Sequence, residues 1–334
     1  MSVWATFLFV LSCVVMAADE KCSGVITVDV DLSAHGSDEE ARLWLPYPLS
    51  DNEQQISNIR YSGTQSEVGV YSDRSDGVPM LFARWDKGAA ERRLRFKFSV
   101  DRLERKAGVL PQNEAAWDPA DYAQFLKPTS LAPTDGRIKA LAEEITKGKT
   151  TVLAKARAIY DWVSTNMYRD PQTRGCGSGD VCTLLDKPGG KCADIHSVFV
   201  ALLRAARVPA RDVFGIRQGS DANPDITGWQ HCWAEFYVPG FGWVAADPAD
   251  VLKFALTKKL KPTDPEVAPV RERYFGGLDA ARVKFSAGRD LTLNPPQQGQ
   301  PVNYLMYPYA QIGAKTLDWL DPETFKYTIS YRKG

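Results

Sequence analysis

A chain of 334 residues is long enough for two ordinary domains, and 44% hydrophobic with 25% charged residues reads as globular rather than disordered or fibrous. Lys+Arg and Asp+Glu number 41 each, so the formal net charge is zero. That balance offers no field to a nucleic acid or an anionic membrane surface, and neither is expected as a partner.

The chain opens with MSVWATFLFVLSCVVMAADEK, apolar from Val3 to Met16, with the small residues Ala17 and Ala18 before the first charges. The apolar run is shorter than the roughly 20 residues a spanning helix needs. Residues 1–18 therefore read as a signal peptide cut after Ala17 or Ala18. The mature protein is expected to be periplasmic or secreted, with no membrane attachment after cleavage. Loss of Cys13 with the leader leaves Cys22, Cys176, Cys182, Cys192 and Cys232. An odd number in an oxidising compartment leaves at least one free thiol. Cys176 and Cys182 share the segment CGSGDVC and are expected to close a local disulfide.

Residues 25–33 (VITVDVDLS) and 93–100 (RLRFKFSV) alternate apolar with polar, the period of half-buried antiparallel strands. With turn signals between them, such as Ser75-Asp76-Gly77, residues 20–105 read as a β-sandwich accessory domain. Residues 106–134 are rich in proline, lack a period and read as a linker. The period then becomes helical. Ile138, Leu141, Ala142 and Ile145 form one stripe, with Asp135 as cap and Gly148 as stop, and Val152 to Met167 forms a second. A Gly/Pro-rich loop from Asp170 to Gly190 precedes a third helix starting at or near Cys192. Strands are expected at 231–238 and 242–247, which makes residues 135–255 an α+β core. The segment 256–334 is β-rich; RVKFS and TFKYTISYR are expected to rejoin the N-terminal sandwich.

The chemistry concentrates in GGKCADIHSVFVALLRAARVPAR, residues 189–211. Ile195, Val198, Phe199, Leu202, Leu203 and Ala206 make a buried stripe, and Cys192 lies at its head. A thiol at a helix N-terminus meets the positive end of the dipole and free N–H groups, which favour the thiolate. The same N–H groups can hold the oxyanion of a tetrahedral intermediate. An inert buried cysteine is the alternative for this helix taken alone.

A thiolate nucleophile needs a base, and the base needs an orienting group. Of three histidines, His35 lies in the sandwich region. His196 follows Cys192 by one helical turn and reads as a packed, hydrogen-bonded residue approaching from the core. His231 lies in WQHCWAEFYVPGFGWVAADPAD, which reads as a hairpin. Alternation places His231, Trp233 and Glu235 on one face, and sends Cys232 to the other face, away from His231. A three-residue loop pairs Val238 with Gly242 and puts Asp247 opposite Trp233. That is one diagonal step from His231, about 7–8 Å in a regular ladder, so an Asp247–His231 hydrogen bond needs a long reach or a bulge. Cys192, His196, His231 and Cys232 are also four zinc-type ligands, but the alternation separates them and Cys-x3-His is a poor zinc pair. Arg204, Arg207 and Arg211 lie off the stripe and read as a solvated or ion-paired face. NYLMYPYA, residues 303–310, reads as an interdomain surface or a cleft wall.

These two segments together resemble the transglutaminase-like (transglutaminase core) superfamily over roughly residues 135–255. The matching positions are Gly190 and Cys192, the turn from Arg204 to Arg211, His231 with Trp233, and Gly242, Trp243 and Asp247. The resemblance implies a papain-like α+β fold and a catalytic Cys-His-Asp triad: Cys192 the nucleophile, His231 the base and then acid, Asp247 the orienting group. It implies no metal and no other cofactor for the chemistry, and no EF-hand-like loop is present. The family's second oxyanion donor is a side chain upstream of the helix; Trp162, Asn166 and Gln230 are candidates, though each also reads as packing or turn structure. The preceding sandwich resembles accessory domains of bacterial members. The expected function is an exported thiol enzyme, a peptidase, amidase or acyltransferase acting on peptide, protein or cell-wall amides through a thioester. Hydrolysis is favoured because it needs only access for water, whereas crosslinking needs a protected acceptor site. The rival is an inactive relative serving as a binding or scaffold protein of the cell envelope. A thiol–disulfide enzyme is disfavoured by the lack of Cys-x-x-Cys.

Overall fold

The computed structural model describes residues 20–334 apart from 74 and 76. The expected signal peptide, Cys13 within it, and Asp76 of the turn at 75–77 lie outside the described residues.

Six strands come first: β1 (Lys21–Asp31), β2 (Ala41–Pro46), β3 (Gln54–Gly63), β4 (Glu67–Ser72), β5 (Pro79–Trp85) and β6 (Arg93–Leu103). The alternation in β1 and β6 does what a period of two requires. Ile26, Val28, Val30, Leu94, Phe96, Phe98 and Val100 point into one core. The chain then changes character with α1 (Gly136–Ile145), α2 (Val152–Asn166), β7 (Tyr168–Arg169), α3 (Val181–Asp186), β8 (Gly189–Gly190) and α4 (Cys192–Ala205). It continues through β9 (Ala210–Arg217), β10 (Gln230–Val238), β11 (Gly242–Ala246), α5 (Pro248–Lys258) and α6 (Ala268–Arg273). It closes with β12 (Arg282–Ala287), β13 (Tyr309–Ile312), β14 (Lys315–Thr316) and β15 (Lys326–Lys333).

The sandwich sheets run β15-β1-β6-β3 and β14-β13-β2-β5-β4, so the tail completes both layers. TFKYTISYR rejoins the N-terminal sandwich as expected, with Val28 opposite Ile329 and Ile26 opposite Tyr331. RVKFS does not. Its strand β12 hydrogen-bonds to β9 as the edge of the second sheet, β11-β10-β9-β12. Val283 and Phe285 nevertheless pack into the sandwich core. The alternation was satisfied by side-chain burial in one unit while the backbone ladder belongs to the other, which makes β12 the seam between them. NYLMYPYA straddles the same seam: Tyr304, Met306 and Tyr307 join the helical core, while Tyr309 and Ala310 lie in β13.

In the second unit α4 is buried along nearly its whole length and packs against β10 and β9. Strand β9 carries no alternation to read, because six of its eight residues are buried, as a central strand requires. Helix α3 is a six-residue insertion in the Gly-rich loop, started by Asp180 accepting the Thr183 N–H. Arg204 departs from its expected place on a solvated face. It is buried, its guanidinium donating to the carbonyls of Ala210 and Lys127, so backbone acceptors compensate its charge. Arg211 is ion-paired, with Glu235, at 2.6 Å.

Candidate active site

Helix α4 begins at Cys192. Asp194, the third helical residue, accepts the Lys191 N–H at 3.1 Å and the Gly179 N–H at 2.8 Å. One carboxylate thus ties the helix start to the preceding loop and places negative charge where the dipole welcomes it. Gly190 is required there, since a Cβ would come within 2.5 Å of the Asp194 Cβ. The Ala193 N–H donates to the Cys176 carbonyl at 2.9 Å, so the Cys176 loop lies across the first turn.

The structure brings the three predicted site residues together. Strand β10 holds His231, and β11 ends one residue before Asp247. The register is as predicted: Val238 pairs with Gly242, and Ala234 pairs with Ala246. Asp247 then leaves the ladder to cap α5, accepting the Asp250 N–H at 2.8 Å, with Pro248 at the first helical position. This departure shortens the diagonal: His231 Nε2 lies 2.7 Å from Asp247 Oδ2. The Cys192 thiol lies close enough to the His231 ring and to the thiols of Cys176 and Cys232 to feel their influence. With Nε2 turned to Asp247, Nδ1 is the ring nitrogen left for sulfur.

The electrostatics follow from these contacts. The Cys176 and Cys232 thiols, then His231, hold the Cys192 thiol well below the ordinary thiol range against the opposing effect of burial. Cys176 and Cys232 move the other way, the first chiefly through Cys192 and then burial, the second chiefly through burial and then Cys192. Burial and Arg217 push His231 down, but Asp247 and Asp250 more than offset them, and its pKa is raised. Burial pushes Asp247 up, yet Arg282, His231 and the His196 hydrogen bond hold it well below the carboxylate range. The two shifts run in the directions that favour a thiolate beside an imidazolium.

Two expectations need correction. Cys232 is in the core but not turned from the chemistry: its thiol bears on that of Cys192 and lies 3.4 Å from His196 Nδ1. The even-numbered face of β10 is the face against α4, and the nucleophile heads that helix. Cys176 and Cys182 are free thiols, the first buried beside Cys192 and the second exposed; the insertion of α3 between them separates their environments. The site is closed, with Cys192 only 2% and His231 4% exposed. His196 is, as expected, a packed residue. It is fully buried, with Nε2 3.2 Å from Asp247 Oδ1, and so positions the carboxylate.

Sequence reasoning missed Arg282 and Asp250. Fully buried Arg282 donates Nη1 to Asp247, Nη2 to Asp250 at 2.7 Å, and Nε to Asp279 at 2.9 Å. Arg217 adds a second guanidinium on Asp250, at 2.6 Å. Arg282 lies on β12, far along the chain, and no spacing links it to the hairpin. Asp250 could have been suspected from DPAD, which places it in the first turn of a capped helix. The four-ligand zinc set does not gather. Among the described residues, the ligand-type group whose donor atoms lie within 4.8 Å of one another is His231, Asp247 and Asp250. Arg282 already occupies both of those carboxylates.

The family model described as "Transglutaminase-like superfamily" matches residues 139–248, the span that contains all three side chains. Residues 139–248 carry a transglutaminase-like core domain. An uncharacterised protein of Haemophilus influenzae shares 37% identity over 323 residues, covering 89% of this chain and 88% of that protein. A protein-glutamine gamma-glutamyltransferase of Pseudomonas aeruginosa is 31% identical over 122 residues, 34% of this chain and only 18% of that protein. The crystal structure of a candidate cysteine protease from Cytophaga hutchinsonii covers 94% of this chain and 98% of its own, with a TM-score of 0.54 at 16% identity. That likeness shows a common fold. This transglutaminase-like protein is therefore an α+β core joined to an antiparallel β-sandwich.

Proposed function

We propose that this protein is an exported, cofactor-independent thiol enzyme that cleaves amide bonds of peptide, protein or cell-wall substrates, acting in the periplasm or outside the cell. One observation carries the reading: Cys192 heads a buried helix beside His231, whose Nε2 lies 2.7 Å from the Asp247 carboxylate, and the charges around it favour a thiolate. The Cys192 thiolate attacks the amide carbon, and the C–N bond breaks as the tetrahedral oxyanion collapses. Imidazolium at His231 delivers its proton to the departing amine, leaving a thioester. Water then attacks the thioester, giving its proton to His231, and the acid departs with regeneration of the thiol. An amine in place of water would give transamidation; a site this closed provides for a small acceptor more readily than for a second protein chain.

The burial of Cys192 is the observation that favours the rival reading, an inactive scaffold. Alkylation with iodoacetamide near neutral pH, followed by peptide mapping, separates the two. The enzyme gives preferential modification of Cys192 that His231→Ala abolishes; equal slow labelling of every thiol supports the scaffold. Incubation with peptide, isopeptide and cell-wall amides then assigns the substrate, and Cys192→Ala must abolish any activity found. The amino-terminal residue of protein recovered outside the cytoplasm tests export: processing after Ala17 or Ala18 is expected, and an intact leader on cytoplasmic protein would refute it.

A further inference from the structure

We infer that Arg169 anchors a carboxylate of the substrate beside the scissile amide. This role rests on the acyl-transfer reading above and gives it a substrate class: peptides that carry a negative charge next to the bond that is cut. Arg169 is only partly exposed, and its Nη1 is sealed from solvent without a hydrogen-bond partner. Among the described residues its guanidinium meets no carboxylate, carbonyl or aromatic face. The other arginines with a buried, unpaired nitrogen are engaged elsewhere on the same group. Arg102 and Arg105 pair with Glu53, Arg271 donates to the Pro262 carbonyl, and Arg289 pairs with Asp212. A guanidinium keeps its proton at any working pH, so enclosing part of one without an anion is costly, and an anion from a ligand offsets that cost.

Backbone pairing sets Arg169 beside the nucleophile. Strands β7 and β8 run parallel, with Tyr168 opposite Gly189 and Arg169 opposite Gly190, two residues before Cys192. The Asp170 N–H donates to the Gly190 carbonyl at 2.9 Å and extends the pairing. Paired residues share a face of the ladder, and successive residues alternate between faces. The Tyr168 ring fills the face of Gly189, where a Cβ would collide with it. Arg169 therefore takes the face of Gly190, the one turned to Asp194 in the first turn of α4. Its charge reaches two side chains there. One is the Cys176 thiol beside Cys192, whose rise in pKa through Cys192 and burial it opposes. The other is the Lys253 amine of α5, pushed down by desolvation, Arg217 and Arg169. The acids of this region are already bound: Asp247 and Asp250 by Arg282, Arg217 and His231, and Asp170 by the Gln172 N–H. Two cations thus flank the start of α4 with no anion assigned to them. A carboxylate suits the position, because its two oxygens match the planar fork of a guanidinium.

Iodoacetate and iodoacetamide alkylate the same sulfur and differ by one charge. The ratio of their rates at Cys192, normalised to the same ratio for glutathione, should fall at least about tenfold in Arg169→Gln, the worth of one charge-assisted hydrogen bond. Arg169→Lys, which keeps the charge, should recover part of it. The His231 imidazolium attracts iodoacetate in both proteins and cancels in the comparison; a change in the reactivity of the thiol acts on both reagents and cancels as well. A ratio within about twofold of wild type, or equal losses with both reagents, would overturn the assignment. Two peptide pairs identify the source of the carboxylate: acetyl-dialanine against its C-terminal amide, and acetyl-glutamyl-alanine amide against its glutaminyl counterpart. Faster cleavage of the acid in the first pair assigns a chain-terminal carboxylate, and in the second an acidic side chain; equal rates within both pairs would also overturn the role. Failure of either reagent to label Cys192 preferentially in the wild type would instead refute the thiolate nucleophile, and acyl transfer with it.

Discussion

Arg282→Met offers a demanding test of the site's electrostatics. The substitution leaves the volume roughly intact and removes the cation that contacts Asp247, Asp250 and Asp279. Asp250 keeps Arg217 at 2.6 Å, and Asp279 is about one-fifth exposed, so neither is abandoned. Asp247 is fully buried and keeps only His231, His196 and the Asp250 N–H. Removing one partner of a buried pair costs about 3–5 kcal/mol, a large share of the roughly 5–15 kcal/mol that holds a domain folded. The sign with pH is fixed by linkage. In the wild type Asp247 has a lowered pKa, so its stabilisation is present above the unfolded carboxylate value and is lost as pH falls through the folded one. In the variant burial is opposed by less positive charge, Asp247 takes up a proton more readily, and the deficit shrinks on acidification. Urea unfolding at pH 7.5 and pH 5 reads both quantities. A deficit below about 1 kcal/mol at pH 7.5, or one that does not change with pH, would refute the claim that Arg282 compensates a buried, ionised Asp247. Adding Asp247→Asn to the variant should recover much of the stability without restoring activity, since the two effects couple.

The pH–rate profile should be a bell, its acid limb below the ordinary thiol value and its alkaline limb above the ordinary imidazole value; a single rising limb near the free-thiol value would contradict the ion pair. Asp247→Asn should lower kcat by about 10⁴-fold, as loss of an orienting carboxylate does elsewhere, and move the alkaline limb to lower pH; an unmoved limb in a steady-state titration would deny its contact with His231. Cys176→Ala should move the acid limb to higher pH, because the strongest contact lowering the Cys192 pKa is lost; stopped-flow alkylation across pH measures this directly. Asp194→Ala should cost about 0.5–2 kcal/mol for the lost cap, read by thermal unfolding, and an unchanged midpoint would argue against its role in fixing the helix start.

What could be read from the sequence was local. The helix headed by Cys192, the three-residue hairpin loop and the register that sets Asp247 opposite Trp233 all depend on neighbours in the chain, where periodicity and turn geometry act directly. The distance to His231 did not follow from the ladder, because Asp247 leaves it to cap α5. The strand face carrying Cys232 was read correctly, but which face meets α4 is a tertiary matter, and so its contact with the nucleophile was missed. Arg282 was out of reach for the same reason. Its alternating segment satisfies a strand anywhere, and only the assembled sheet brings it beneath Asp247.

Asp247 and Asp250, which Arg282 keeps ionised, are what raise the pKa of the buried His231. Around the ring stand three carboxylates, Asp247, Asp250 and Asp279, and two guanidiniums, Arg217 and Arg282. The cluster is one positive charge short, and a proton on His231 supplies it. Burial alone would strip that proton, as it does for isolated imidazoles, and Arg217 adds to the pressure. The deficit in the cluster outweighs both. Negative charge behind the ring thus favours the protonated imidazole that the proposed mechanism calls for. Catalytic readiness is thus a property of β12 and α5 as much as of the three residues that meet at the sulfur. Damage to the seam where β12 joins the sandwich should lower activity before it unfolds the core.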